Sequence, residues 1–297
     1  MGWPKKNPQR WANDLTVLLN AHHGPDRFPI ELDKFALSYS RQVCPEDPIL
    51  KIRREALVGF EGALVPIGDP RRGWGIICND ADVSEGRRRF TLAHEFAHYL
   101  MHRHLNPEGI YCSDDAVLRG EGEAIEREAD AFAASLLMPL DDFRRRIDPY
   151  AKPSIDDLGA CADRYGVSLI AATRRWLGYT NRRSLLVVSR EGYALWASSS
   201  DPAFRSGRFL RTAKETLEIP AGSSVGGGRF TPETKSGVLH PPGIWFDEVV
   251  EECSIPFPRH DQAITLLHLE AVPGGADLAE GPVEDVMDRI ARGFVRN

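Results

Sequence analysis

The sequence predicts an α+β protein in three parts: a mostly helical N-terminal part with a small antiparallel or mixed sheet, a short helical unit, and a C-terminal α+β domain. Apolar residues recur at helical spacing through much of the first part, and two short apolar runs bounded by Gly, Pro and Asp are typical of strands. Beyond Arg183 the pattern changes to β-rich runs around Gly-containing turns. Since 297 residues exceed a usual single domain, we place the three parts at 1–148, 149–181 and 182–297.

The N-terminal part is expected to contain four helices and two strands. The pattern predicts helices at 8–24, 28–40, 84–104 and 122–139, and strands at 56–68 and 73–80. Pro139 should end the fourth helix, because proline cannot continue a helix. The strand at 73–80 directly precedes the third helix, so we expect its edge to hold a substrate in extended form.

Residues 149–181 are expected to form two helices joined by a short turn. Ser154 is a good N-cap for the first helix, Gly166 ends it, and Ser168 opens the second. This arrangement resembles a helix-turn-helix unit. Residues 143–183 carry nine Lys or Arg against four Asp or Glu, a local charge of +5, so a DNA-binding face is one hypothesis for this unit.

The C-terminal domain is expected to begin with a hairpin at 184–198 around an Arg-Glu-Gly turn. The pattern then predicts a helix at 207–219, a loop at 223–237, strands at 244–255 and 263–272, and an amphipathic helix at 282–295. Strands and helices in this order indicate an α+β domain.

Composition restricts the class of protein. A net charge of −6 and a pI near 5.9 argue against nucleic acid as the main partner. The five cysteines occur singly, which is typical of reduced thiols. The N-terminus has no apolar signal region, and no run approaches the roughly 18 apolar residues of a membrane span. We therefore expect a cytoplasmic protein without a membrane partner.

The stretch "HEFAH" has the spacing of a metal site. His94 and His98 are four residues apart, so on a helix both imidazoles share a face and can bind one zinc ion at about 2.0–2.1 Å. Glu95 lies about 100° further around the helix axis, where a general base can act on the attacking water. A chance match is the alternative, and the apolar character of the ligand-bearing face argues against it.

A zinc hydrolase needs a third protein ligand, and two nearby histidines are poor candidates. On a continuous helix His104 would lie about 15 Å up the axis from His94, and Met101 stands where a sharp turn would require Gly. His102 stays on the ligand face but lies about 12 Å along the axis. We therefore expect His102 and His104 to face solvent or line the rim of the cleft.

The next helix offers a better third ligand. Glu126 and Asp130 are four residues apart, and Ala129 and Ala133 beside them permit close approach to the "HEFAH" helix. Glu126 would complete a His2Glu set, and Asp130 would accept the spare ring N–H of a ligand histidine. Glu128 points to another side of the helix and is expected at the surface.

The segments "RRFTLAHEFAHYL" and "EREADAFAASLLMP" resemble the ImmA/IrrE family of metallopeptidases. The resemblance covers about residues 8–180, because "YGVSLIAATRRW" also resembles a helical segment of this family. It implies His94, His98 and Glu126 as zinc ligands, with manganese as the alternative metal, and Glu95 as the catalytic base. Some relatives carry a GAF-like sensor domain at the C-terminus, which the predicted α+β pattern permits.

The resemblance also implies a substrate, a helix-turn-helix repressor of the XRE type, whose cleavage switches on stress, DNA-damage or mobile-element genes. The residues themselves support a zinc-dependent hydrolase. Two alternatives stay open: a DNA-binding regulator that uses the 149–181 unit with a structural metal site, and the peptidase of a toxin–antitoxin or phage-type switch. The sequence does not place an oxyanion stabiliser; His102 and Tyr111 are weak candidates for oxyanion or substrate contacts.

Overall fold

A computed structural model describes residues 7–56, 59–81, 84–112, 123–257 and 261–271. Within these ranges the chain forms helices and two sheets, which confirms the α+β prediction. The described residues divide into two compact units, one within Met1–Asp142 and Ala162–Ser168, the other within Phe143–Cys161 and Leu169–Asn297. The domain boundaries and the GAF-like character of the C-terminal domain stay predictions.

The first unit contains the predicted helices and a sheet. In chain order its elements are α1 (Pro8–His23), α2 (Leu32–Val43), β1 (Ile49–Glu55), β2 (Gly62–Ile67), β3 (Gly73–Asn79), α3 (Glu85–Ala97), a π-helical turn (His98–His102), β4 (Ile110–Cys112) and α4 (Glu123–Leu137). Two further helices, α5 (Leu140–Arg146) and α6 (Ile155–Tyr165), contribute residues to both units. As predicted, α4 ends just before Pro139.

The sheet of the first unit has the strand order β1-β3-β2-β4, and it is mixed, because β1 runs parallel to β3 and the other pairs are antiparallel. The expectation that residues 73–80 present a sheet edge is wrong, since β3 lies between β1 and β2. Neither β1 nor β4 was predicted. Charged residues dominate β1 after the buried Ile49, and β4 is only three residues long, so neither has an apolar pattern to read.

Small residues on α4 bring this helix close to α3. Ala129 and Ala133 are fully buried, and the rings of Phe96 and Phe132 meet edge to face at 6.1 Å. Such contacts maximise dispersion between the two helices. The C-terminal half of α3 is therefore enclosed in the core of the first unit.

The second unit is built around a six-stranded antiparallel sheet in the order β7-β6-β5-β10-β9-β8. Its elements are α7 (Leu169–Leu177), β5 (Ser184–Arg190), β6 (Tyr193–Ser199), α8 (Asp201–Arg205), β7 (Leu217–Glu218), α9 (Pro232–Ser236), β8 (Val238–His240), β9 (Val250–Phe257) and β10 (Gln262–Leu269). The predicted hairpin is β5 and β6, and the two later predicted strands are β9 and β10, shifted by a few residues.

The helix predicted at 207–219 is wrong. This segment consists of turns followed by β7, which pairs with β6. Leu217 and Ile219 stand two residues apart, which is strand spacing, and Ile219 is buried in the core of this unit. The predicted loop at 223–237 contains the short helix α9. The amphipathic helix predicted at 282–295 lies outside the described residues. Across the described ranges, no helix combines the length and apolar character that a membrane crossing requires.

Candidate metal centre

Local sequence determines where α3 begins and which part of it is buried. The Ser84 side chain accepts a hydrogen bond from the Arg87 backbone N–H at 3.2 Å, which caps the helix. Every residue from Thr91 to Ala97 is buried. The histidines and the glutamate of "HEFAH" are therefore held in the protein interior rather than on a solvated helix face.

Four side chains bring one metal-binding atom each to a common point. His94, His98, Cys112 and Glu126 place these atoms within 4.8 Å of one another. The two histidine Nε2 atoms are 2.9 Å apart, and Glu126 lies 3.0 Å from Nε2 of His94 and 3.3 Å from Nε2 of His98. The Sγ atom of Cys112 is 3.5 Å from His94 Nε2 and 4.0 Å from Glu126 Oε1. The three ligands predicted from the sequence thus meet, and a fourth donor that was not predicted joins them.

These distances fit a tetrahedral zinc ion. With bonds of about 2.0–2.1 Å to nitrogen or oxygen and about 2.3 Å to sulfur, tetrahedral ligand atoms stand about 3.3 Å apart, or about 3.6 Å when one is sulfur. The observed separations of 2.9 to 4.0 Å lie close to these values. Imidazole nitrogen, carboxylate oxygen and thiolate sulfur are also the donor types that zinc accepts.

The acidic side chains of the cluster favour a positive charge at its centre. Burial lowers the pKa of His94, but hydrogen bonds to Asp130, Cys112 and Glu126 outweigh this effect and raise the pKa well above its usual value. Burial raises the pKa of Glu126, but hydrogen bonds to both histidines reverse the effect and hold that pKa below its usual value. Burial lowers the pKa of His98 to about 4, which keeps this imidazole neutral, the form that binds a metal.

Asp130 orients one of the ligand histidines. Its Oδ1 atom lies 2.9 Å from Nδ1 of His94. When Nδ1–H donates to this carboxylate, Nε2 of His94 carries the lone pair toward Glu126 and His98. One turn of α4 therefore supplies both a metal ligand, Glu126, and the carboxylate that fixes the tautomer of His94, Asp130.

The expectation that His102 faces solvent is wrong, because this side chain is buried. The chain turns from α-helix to π-helix at His98, and the Arg103 N–H donates to the His98 carbonyl at 2.8 Å. His102 is 1% exposed, with Nδ1 3.0 Å from Nδ1 of His98 and Nε2 3.0 Å from the Glu128 carboxylate. His104 is exposed, as expected. Glu128 is exposed too, but its carboxylate reaches inward to His102.

Glu95 occupies a tight, fully buried position beside the cluster. Its carboxylate oxygens have no hydrogen-bond partner within the described part of the chain. A Cβ atom at Gly62 would overlap Glu95 Oε1 and stand 2.8 Å from Thr91 Cγ2, so only glycine leaves room for this carboxylate. Burial raises the pKa of Glu95 to about 7, against the opposing effects of His94 and Cys112. A carboxylate with this pKa can accept and return a proton near neutral pH.

Sheet pairing delivers Cys112 to the cluster. In the β2–β4 ladder Cys112 lies opposite Gly62, and the Glu61 N–H donates to the Cys112 carbonyl at 3.0 Å. Successive strand residues point to opposite faces, and Tyr111 is 53% exposed with its ring edge-on to Phe60 at 5.9 Å. Burial raises the pKa of the Cys112 thiol. A single cysteine in a three-residue strand carries no spacing signal, which explains why the sequence did not reveal it.

Comparison with known proteins identifies the domain that carries this cluster. Residues 46–177 match the family model of peptidase M78, described as an IrrE N-terminal-like domain. A solved Mycobacterium tuberculosis chain described as a transcriptional regulator matches with a TM-score of 0.53 at 13% identity, covering 88% of this chain and 76% of that one. At this identity the likeness concerns the fold alone. No curated protein matches the chain. The resemblance drawn from the sequence is confirmed for residues 46–177, which are similar to an IrrE N-terminal-like domain, a metallopeptidase-type domain of the peptidase M78 family.

Proposed function

We propose that the chain is a zinc-dependent endopeptidase that cleaves a helix-turn-helix repressor of the XRE type and so switches on stress, DNA-damage or mobile-element genes. The observation that carries the enzymatic part is the set of His94, His98 and Glu126 beside the buried carboxylate of Glu95. The family match supports peptidase chemistry. The repressor as substrate rests on the family resemblance, and it agrees with the predicted cytoplasmic location.

In this mechanism the protein residues divide into ligands, orienting groups and a base. When bound, zinc polarises the scissile carbonyl and activates water. His94, His98 and Glu126 hold the ion, while Asp130 keeps His94 in the tautomer that binds it. Glu95 takes the proton of the attacking water and passes it to the leaving amine, a role suited to its pKa of about 7.

The edge of the first sheet is a suitable place for an extended substrate. Within the described residues β4 pairs on one side only, with β2. The rings of Phe60 and Tyr111 lie together at this edge and are half exposed. A peptide that adds to β4 would form main-chain hydrogen bonds and contact these rings. It would then pass next to Cys112 and the metal ligands.

The test is to incubate the purified chain with zinc or manganese and a candidate XRE-type repressor, and to look for one discrete cut. Glu95→Gln should retain the metal and slow cleavage by a factor of about 10² to 10⁴. His104→Ala is the matched control, since this exposed histidine should leave cleavage unchanged. Full activity of the Glu95→Gln variant with metal bound would contradict the assignment of the base.

A DNA-binding regulator with a structural metal site is the second candidate. One observation favours it: with Cys112 the cluster offers four protein donors, and structural zinc sites are closed by four. Against it, some basic residues of the 143–183 segment already form ion pairs with acidic residues of the same chain. Lys152 contacts Glu251 at 2.5 Å, and Arg183 contacts Glu248 at 2.7 Å. A gel shift with nonspecific duplex over a salt series separates the candidates, because DNA binding would be strong and salt-dependent.

A further inference from the structure

Cys112 raises a question that the proposed peptidase does not answer. A catalytic zinc site keeps one of its four positions for water. Here the thiol of Cys112 lies within the same 4.8 Å cluster as His94, His98 and Glu126. The sulfur also interacts with the buried carboxylate of Glu95, and this interaction opposes the rise in the pKa of Glu95 that burial causes.

The geometry of the sulfur is that of a ligand. Its 3.5 Å distance from His94 Nε2 is close to the about 3.6 Å expected between nitrogen and sulfur bound to one tetrahedral zinc ion. Its 4.0 Å distance from Glu126 Oε1 is slightly longer. On coordination the thiol releases its proton to solvent, and the sulfur binds the metal as thiolate.

We propose that Cys112 is the fourth protein ligand of the metal and holds the peptidase latent by occupying the position that the hydrolytic water needs. This inference rests on the proposed metallopeptidase function and adds a regulatory state to it. Soft thiolate donors favour zinc over manganese, so the latent state is specific to zinc-type ions.

The fold makes such a ligand removable. Cys112 is the last residue of β4, which is held in the sheet by pairing of three residues with Gly62, Ala63 and Leu64 of β2. His94 and Glu126 lie on the longer helices α3 and α4, and His98 begins the buried π-helical turn that continues α3. Movement of the strand end therefore withdraws the sulfur and leaves the other three ligands in place. A substrate strand that adds to β4 is the most direct cause of such movement.

The test uses the full-length chain loaded with cobalt(II), as wild type, Cys112→Ser and Cys44→Ser. Cys44 is the matched control, a partly exposed thiol of the same unit whose sulfur accepts a hydrogen bond from Arg103. Wild type and Cys44→Ser should show a thiolate-to-cobalt charge-transfer band that Cys112→Ser lacks. Bound zinc should slow alkylation of Cys112 by iodoacetamide about tenfold or more, while Cys44 is unaffected.

The rate of substrate cleavage then distinguishes metal coordination by Cys112 from inhibition of the peptidase by Cys112. With an accepted repressor substrate, zinc-loaded Cys112→Ser should cleave about tenfold or more faster than wild type, since the water position is free. A charge-transfer band without faster cleavage by Cys112→Ser would overturn the latent state. Cobalt binding without any band would overturn the coordination by sulfur and leave the metallopeptidase intact. Failure of wild type to bind cobalt or zinc at all would overturn the metal centre and both proposals.

Discussion

Replacing His102 is expected to weaken zinc binding although this residue is not a proposed ligand. When Nε2 of His98 binds the metal, Nδ1–H of His98 donates to Nδ1 of His102 at 3.0 Å. Nε2–H of His102 in turn donates to the Glu128 carboxylate at 3.0 Å. This chain of hydrogen bonds orients the His98 ring and increases its basicity toward the metal. His102→Ala removes the middle of the chain.

The size of the effect follows from burial. His98 is fully buried and His102 is 1% exposed, so no bulk water replaces the lost acceptor. An unsatisfied buried N–H costs about 1–3 kcal/mol. Removal of such supporting groups lowers metal affinity about 10- to 100-fold, which corresponds to about 1.4–2.8 kcal/mol. We therefore expect zinc affinity to fall by about one to two orders of magnitude.

The assay is competition for zinc with a chromophoric chelator, followed for wild type and three variants. Glu128→Gln removes the carboxylate at the exposed end without creating a buried cavity, so it should lower affinity less than His102→Ala. His104→Ala is the control, because this histidine is exposed. Wild-type affinity in His102→Ala would refute the reasoning, as would an equal loss in His104→Ala.

Two further predictions concern the base and the second unit. Gly62→Ala should displace the Glu95 carboxylate, because a Cβ atom there would overlap it, and should slow cleavage by about 10² or more with zinc still bound. Gly75→Ala is the control and should leave cleavage unchanged, because a Cβ atom there meets only side-chain atoms of β2. Glu248→Gln should lower the free energy of unfolding by about 2–3 kcal/mol, measured by urea denaturation, because it leaves the buried Arg183 without its paired carboxylate. Hydrogen bonds from Arg183 hold the pKa of Glu248 below its usual 4.5. The stability it contributes is present above 4.5 and is lost as pH falls toward the lowered value, so the two proteins should converge in acid; a constant difference would contradict this.

Residue spacing along the chain was sufficient to predict the helices and strands that have a regular pattern of apolar residues. His94 and His98 share a helix face because they are four residues apart, and α3 begins at a serine cap that local sequence supplies. The helical spacing of apolar residues in α4 and the β-rich runs of β5 and β6 are likewise visible in the local sequence. The helix expected at 207–219 was wrong because tertiary contacts of Leu217 and Ile219 outweighed weak local propensity.

The sequence by itself determined the "HEFAH" helix and the acidic helix α4, since both follow from residue type and periodicity, and it predicted metallopeptidase-type chemistry. Only the tertiary structure decided how the site is completed. Cys112 reaches it through pairing with Gly62, fifty positions earlier in the chain, and His102 turns inward because a π-helical turn and Glu128 of α4 meet there. Neither contact produces a periodic pattern in the sequence, because each joins two segments that come together only when the core packs.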